Sequence, residues 1–324
     1  MPPARITSPC RRRDARIHQW STSQIRTGGS RFPATGSTAA GWVKSWGWKL
    51  SPLLWKSDKG CALLGEGESL PFPLSVHLQV TTRCNLNCAG CWYRESPADL
   101  LPDFALSLVE EMAQVGSAWL AIGGGEPMLW GALEELTERA HGLGLKVAIT
   151  TNGTLLRPAA PDRLHVSFDA MHGLPAEAAM RALRYYRDRG AVVGVNHIVT
   201  TAGDLQRLEK LIPEVSTITL LLPKPPRPEE LPYEALVRFI EAHRQRVWLD
   251  PCLGRVLQAR GLLRRGGCRQ GITSMYIDVH GRAARCSNVR QRLPYRGLLA
   301  TWRELACPPD KWQPEPCILR GLLK

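Results

Sequence analysis

The chain has 324 residues, 44% of them hydrophobic, ten cysteines and a formal net charge of +13. That length can bury a full core as one large domain with a smaller appendage, and no run of about 18 apolar residues is present to cross a membrane. The cysteines are clustered and no leader with an apolar centre precedes them, which argues against a secreted disulfide scaffold and for metal ligation in a reducing, cytoplasmic compartment.

Residues 1–40 are rich in Arg, Ser, Thr, Gly and Pro without an apolar period, so a disordered basic tail is expected. Residues 41–72 form a Trp-rich extension in which Trp42, Trp46, Trp48 and Trp55 alternate with Lys44, Lys49 and Lys56, a stripe expected to pack on the main domain. Both ends of the chain are basic and residues 71–251 are net acidic. The basic C-terminal region reads as charge offsetting thiolates or keeping the surface soluble, rather than as a nucleic-acid site.

Over residues 73–250 the pattern becomes strand then helix, repeated. Strands are predicted at Leu74 to Thr81, Trp119 to Gly123, Lys146 to Thr151, Leu164 to Phe168, Val192 to Val199 and Ile218 to Leu222, mostly continuous apolar runs of the kind buried on both faces. Amphipathic helices lie between them, one with Phe104, Leu108, Met112 and Val115 at helical spacing and Gly116 as its stop. Six such units predict an α/β fold, a partial (β/α)6 TIM-type barrel, whose site should sit at the C-terminal strand ends.

Directly after the first strand come Cys84, Cys88 and Cys91. A structural zinc site fills four positions, whereas this spacing supplies three soft ligands and no nearby fourth, so an iron-sulfur cluster with one open iron fits better. Gly123, Gly124 and Gly125 after the second strand let backbone come close to a ligand, and the carboxylate of Glu126 can accept from an ammonium group. Alternation along the fourth strand puts Ser167 and Asp169 on one face with His165. Asn152 follows the third strand, where a turn-forming role is the alternative. Asn196 lies on the fifth, and His197 should point away from it as a structural residue.

The cysteine motif with its flanking Asn85-Leu86 resembles the cluster-binding loop of the radical S-adenosylmethionine (SAM) superfamily. Gly124-Gly125-Glu126-Pro127 resembles that family's GGEP motif, and Thr151-Asn152-Gly153 and Ser167-Phe168-Asp169 resemble its later segments in the same order. One departure is Gly90, where an aromatic residue usually precedes the third cysteine. The resemblance implies a 4Fe-4S cluster on Cys84, Cys88 and Cys91, with SAM chelating the open iron. It further implies that Gly124, Gly125, Glu126 and Pro127 hold the amino group of SAM, that Ser167 and Asp169 meet its ribose, and that Asn152 and Asn196 lie beside it.

Residues 251–324 form a small cysteine-containing C-terminal domain. Met275 to Val279 and Arg282 to Arg285 flank His280-Gly281 as a hairpin bracketed by Cys268 and Cys286. The spacing resembles the opening of the SPASM and twitch auxiliary-cluster domains, implying a second 4Fe-4S cluster on Cys268, Cys286, Cys307 and Cys317, with Cys252 in reserve. Too few cysteines remain for the two clusters of a complete SPASM domain. The family implies an enzyme abstracting hydrogen from a peptide or protein side chain, fed by a donor such as flavodoxin or ferredoxin. A small-molecule dehydrogenase or cofactor-assembly enzyme, and a non-catalytic iron-sulfur or SAM-binding protein, are the alternatives.

Overall fold

The computed structural model describes residues 54–57, 60–63, 70–91, 93, 95–263, 268, 270–306, 317 and 319. The expected tail at 1–40, Trp42, Trp46, Trp48 and Cys307 lie outside them, as do the side chains of 54–63. A short antiparallel hairpin, β1 (Leu54–Ser57) and β2 (Gly60–Leu63), forms a sheet of its own.

The main sheet contains β3 (Ser75–Thr81), β4 (Trp119–Gly124), β5 (Lys146–Thr151), β6 (Arg163–Ser167), β7 (Val192–Ile198), β8 (Thr217–Leu221) and β9 (Val247–Leu249) in sequential parallel order. The first six are the predicted strands, with ends shifted by at most one residue. Val76, Leu78 and Val80 of β3 are almost fully buried in the main apolar cluster, while His77 and Gln79 between them turn to the lumen and line the cavity.

Seven α-helices are present among the described residues: α1 (Pro102–Val115), α2 (Leu133–Gly142), α3 (Ala176–Arg187), α4 (Ala202–Glu209), α5 (Tyr233–Ala242), α6 (Pro251–Ala259) and α7 (Leu298–Leu305). Pro102 opens α1 where a missing N–H costs nothing, and Gly116 closes it at φ 88°, its N–H bonded to the carbonyls of Ala113 and Met112. The buried stripe of α1 is Ala105, Leu108, Val109 and Met112, with Phe104 and Val115 on its flank.

The expected C-terminal hairpin is β10 (Ser274–Ile277) and β11 (Arg282–Ala284), turning at Gly281 with φ 69°. It extends the main sheet: β10 pairs parallel with β3, and β12 (Leu293–Pro294) forms the far edge beyond β11. With β12 at one edge and β9 at the other, the sheet is an open partial barrel. Helix α7 is tied to the core through buried Trp302 donating to the Leu70 carbonyl at 2.7 Å and Glu111 of α1 accepting from the Leu298 N–H at 2.6 Å.

Candidate functional site

The C-terminal ends of β3 to β9 open into a cavity of about 920 Å³. The excursion carrying the three cysteines is pinned at its base. Thr81 Oγ1 donates to Asp99 Oδ1 at 2.6 Å, Thr82 Oγ1 to the Ser96 carbonyl at 2.7 Å, and Arg83 bridges Asp99 and the Leu129 carbonyl. Burial opposes ionisation of Asp99, but the bonds from Arg83 and Thr81 outweigh it and hold its carboxyl below the ordinary range. Cys84, Cys88 and Cys91 all line the cavity, and burial together with the neighbouring Cys84 and Cys91 raises the pKa of Cys88. Among the described residues, no three His, Cys, Asp or Glu side chains are gathered to hold a single metal ion.

The three glycines at the end of β4 have different jobs. A Cβ on Gly124 would lie 2.3 Å from the Thr81 carbonyl oxygen and one on Gly125 would lie 2.2 Å from that of Arg83, so both are needed for β4 to pass beneath the cysteine loop. Gly123 has nothing within 4 Å of a built Cβ and lines the cavity, leaving room for a ligand. Glu126 is fully buried and absent from the lining: Oε1 accepts from the Met128 N–H at 3.0 Å and Thr151 Oγ1 at 2.8 Å, and Oε2 from the Asn152 N–H at 2.6 Å. Burial raises its pKa against the pull of those donors. Pro127 is buried behind it.

Asn152, which lines the cavity, donates to Asn85 Oδ1 at 2.8 Å and reaches Cys84 Sγ at 3.8 Å, so the β5 loop holds the start of the cysteine motif. Ser167, Asp169 and Asn196 line the same wall. Asp169 is buried and paired with His172, whose Nδ1 lies 2.8 Å from Oδ1. Asn196 Oδ1 lies 2.7 Å from His165 Nδ1, and Thr217 Oγ1 lies 2.9 Å from His165 Nε2. Burial lowers the His165 pKa to about 4, so the ring is neutral at pH 7. His197 points away from the cavity into the fold, bonded to the Phe168 carbonyl.

Residues 78–223 match the family model described as the radical SAM superfamily. The match fits the donor set: three cavity-lining thiols, open space beside Gly123 and polar groups along the facing strand ends. The chain is 31% identical over 144 residues to an AdoMet-dependent heme synthase of Nitratidesulfovibrio vulgaris, covering 38% of this chain and 39% of that protein. It is 32% identical over 111 residues to a probable GTP 3',8-cyclase of Methanothermobacter thermautotrophicus, covering 31% and 36%. The chain thus spans about two-fifths of the length of these relatives. In fold it resembles Streptococcus suis SuiB bound to S-adenosylmethionine, with TM-score 0.60, 18% identity and coverage of 72% of this chain and 66% of that one. It also resembles anSMEcpe with bound AdoMet and the Cp18Cys peptide, with TM-score 0.53, 18% identity and coverage of 72% and 80%.

Beyond the matched residues, Cys252, Cys268, Cys286 and Cys317 line the same cavity. They lie within electrostatic reach of one another, Cys252 sensing Cys268 and Cys286, and both of these sensing Cys317. Burial pushes Cys252 up to about 12 and Cys268 up to about 11, so without a metal they stay protonated; ligation reverses that by supplying positive charge. Cys252, only a reserve ligand from the sequence, lies on α6. Tyr93 was missed altogether. Its hydroxyl lies 3.1 Å from Ser287 Oγ and 3.4 Å from Asn288 Oδ1, tying the Cys84–Cys91 loop to the second group. Its only sequence signal is its place two residues after Cys91.

Proposed function

We propose that this protein is a radical SAM enzyme, with a 4Fe-4S cluster on Cys84, Cys88 and Cys91 and SAM bound along the ends of β4 to β7. The observation that carries this reading is that the three thiols, Gly123, Asn152, Ser167, Asp169 and Asn196 line one cavity. Held by Cys84, Cys88 and Cys91, the cluster would supply the one-electron reduction that splits SAM into methionine and a carbon radical able to abstract hydrogen from the substrate. The chain's own part is positional. Thr81, Thr82 and Arg83 fix the cysteine loop, Glu126 fixes the Asn152 loop, and Ser167, Asp169 and Asn196 offer polar groups to the cofactor. The His165 ring beside Asn196 is neutral at pH 7.

The substrate reading we prefer is a peptide or protein side chain, which draws on SuiB bound to its precursor peptide SuiA and on the peptide-bound anSMEcpe. A small molecule is the second reading, favoured by the higher identity to the heme synthase. Cys252, Cys268, Cys286 and Cys317 would hold a second 4Fe-4S cluster facing the substrate. An electron donor such as flavodoxin or ferredoxin and a cytoplasmic location belong to the same reading.

The test is 5'-deoxyadenosine formation from SAM by anaerobically reconstituted protein under strong reductant. Wild type should form it, and Cys84→Ala, Cys88→Ala and Cys91→Ala should each abolish it, since losing one ligand leaves two. Undiminished product from any of the three rules the reading out. A wild type that binds iron without cleaving SAM would instead be the non-catalytic alternative.

A further inference from the structure

Part of the cavity wall is left unassigned by the cofactor residues. Going round the rim, the cysteine loop follows β3, the glycines end β4, Asn152 follows β5, Ser167 and Asp169 end β6 and Asn196 lies on β7. The next two strand ends, β8 and β9, present Lys224 and Asp250 to the same cavity. Their side chains are only 11% and 14% exposed.

An ammonium so far from water must be held by acceptors. Lys224 Nζ donates to the Leu222 carbonyl at 2.9 Å, while Asp250 Oδ2 stands at 3.6 Å, beyond good hydrogen-bond length. Asp250 is itself tied down, its Oδ1 accepting the Leu222 and Leu253 N–H groups. The carboxylate therefore stands beside the lysine at ion-pair distance without closing on it as a hydrogen bond. Among the described residues Arg285 is a second cation on the lining, its Nε donating to the Leu305 carbonyl at 2.7 Å.

Lys224 also stands at a junction. A smaller opening of about 270 Å³ adjoins the main cavity and shares Gly90, Thr200, Pro223 and Lys224 with it. A group entering there passes the lysine as it reaches Gly90 of the cysteine loop. Pro223 and Pro225 on either side have fixed φ, so the backbone carrying the cation is stiff.

We propose that Lys224 is the substrate-anchoring cation of this site, taking an anionic oxygen group, carboxylate or phosphate, and thereby holding the substrate against the cysteine loop. The proposal rests on the reading that SAM occupies the β4 to β7 side. It assigns the substrate class: a molecule or peptide segment with an acidic group near the carbon that reacts.

The test titrates succinate and inorganic phosphate separately into the reconstituted, SAM-bound protein by calorimetry at matched ionic strength, for wild type, Lys224→Met and Lys224→Arg. Wild type should bind at least one probe saturably; Lys224→Met should weaken that binding about tenfold or more, and Lys224→Arg should retain most of it. Binding of succinate alone makes the recognised group a carboxylate, and binding of phosphate alone makes it a phosphoryl group. No saturable binding of either probe, or equal binding by Lys224→Met, overturns the proposal. Loss of iron in Lys224→Met but not in Lys224→Arg also overturns it, because the lysine would then be balancing thiolate charge. SAM affinity is measured in parallel: failure there counts against the cofactor reading, and the same titrations without SAM still decide the role of Lys224.

Discussion

Glu126 accepts the backbone N–H of Asn152 at 2.6 Å, and the side chain of Asn152 in turn reaches Asn85 and Cys84. A carboxylate that the sequence places beside the cofactor is thus turned inward, where it fixes the loop that braces the cysteine motif. Removing it strands three donors in a buried setting, at about 1–3 kcal/mol for each group left unsatisfied. Glu126→Ala is therefore expected to lose about 3 kcal/mol or more of stability in urea denaturation, with SAM affinity falling as a consequence. Wild-type stability combined with lost SAM affinity would show that the carboxylate serves the ligand directly.

Gly123 and Gly125 should respond in opposite ways to the same added methyl group. At Gly125 the Cβ meets the Arg83 carbonyl at 2.2 Å, a backbone contact that cannot yield, so Gly125→Ala should destabilise the fold and disturb the cysteine loop. At Gly123 the space is open, and Gly123→Ala should unfold like wild type while binding SAM more weakly. Equal SAM affinity in Gly123→Ala would place the ligand elsewhere in the cavity.

The six long strands are legible in the sequence because continuous apolar runs report burial on both faces, a local property. Strand β9 is three residues long, too short to carry a period, and the pairing of β10 with β3 depends on contacts between residues about 200 positions apart. The site divides in the same way. The thiols and the polar ends of β6 and β7 can be read from motif and alternation. The inward turn of Glu126 cannot, since its partners Thr151 and Asn152 lie 25 and 26 residues away and only the parallel pairing of β4 with β5 brings them near. Lys224 and Asp250 come together by the same kind of long-range closure, and neither belongs to a motif.

His165 should leave a mark on the pH dependence of stability. In the unfolded chain its imidazole binds a proton as pH falls through about 6.5. In the folded protein burial delays that to about 4. Between those values the unfolded state holds more protons, so stability declines as pH is lowered across the window and is fully present above it. Urea midpoints measured from pH 7 to pH 4 should fall less steeply for His165→Gln than for wild type. Identical slopes would mean that His165 gains its proton in the fold as readily as in the open chain.

The resemblance to the twitch pattern implies Cys268, Cys286, Cys307 and Cys317 as ligands of a second cluster; Cys307 lies outside the described residues, and among those described Cys252 lines the cavity with the other three. It follows Asp250, which caps α6 by accepting the Leu253 N–H at 2.8 Å, so its backbone is fixed at the rim. Asn288 Nδ2, two residues after Cys286, reaches Cys252 Sγ at 3.8 Å, linking the two ligand loops. In a background lacking Cys84, Cys88 and Cys91, any iron retained after anaerobic reconstitution must sit at this second group. Cys252→Ser should then lose that iron and its Mössbauer signature, and Cys307→Ser should keep both. The reverse pattern would restore Cys307 as the ligand, and zinc in place of iron would make the region a structural cap.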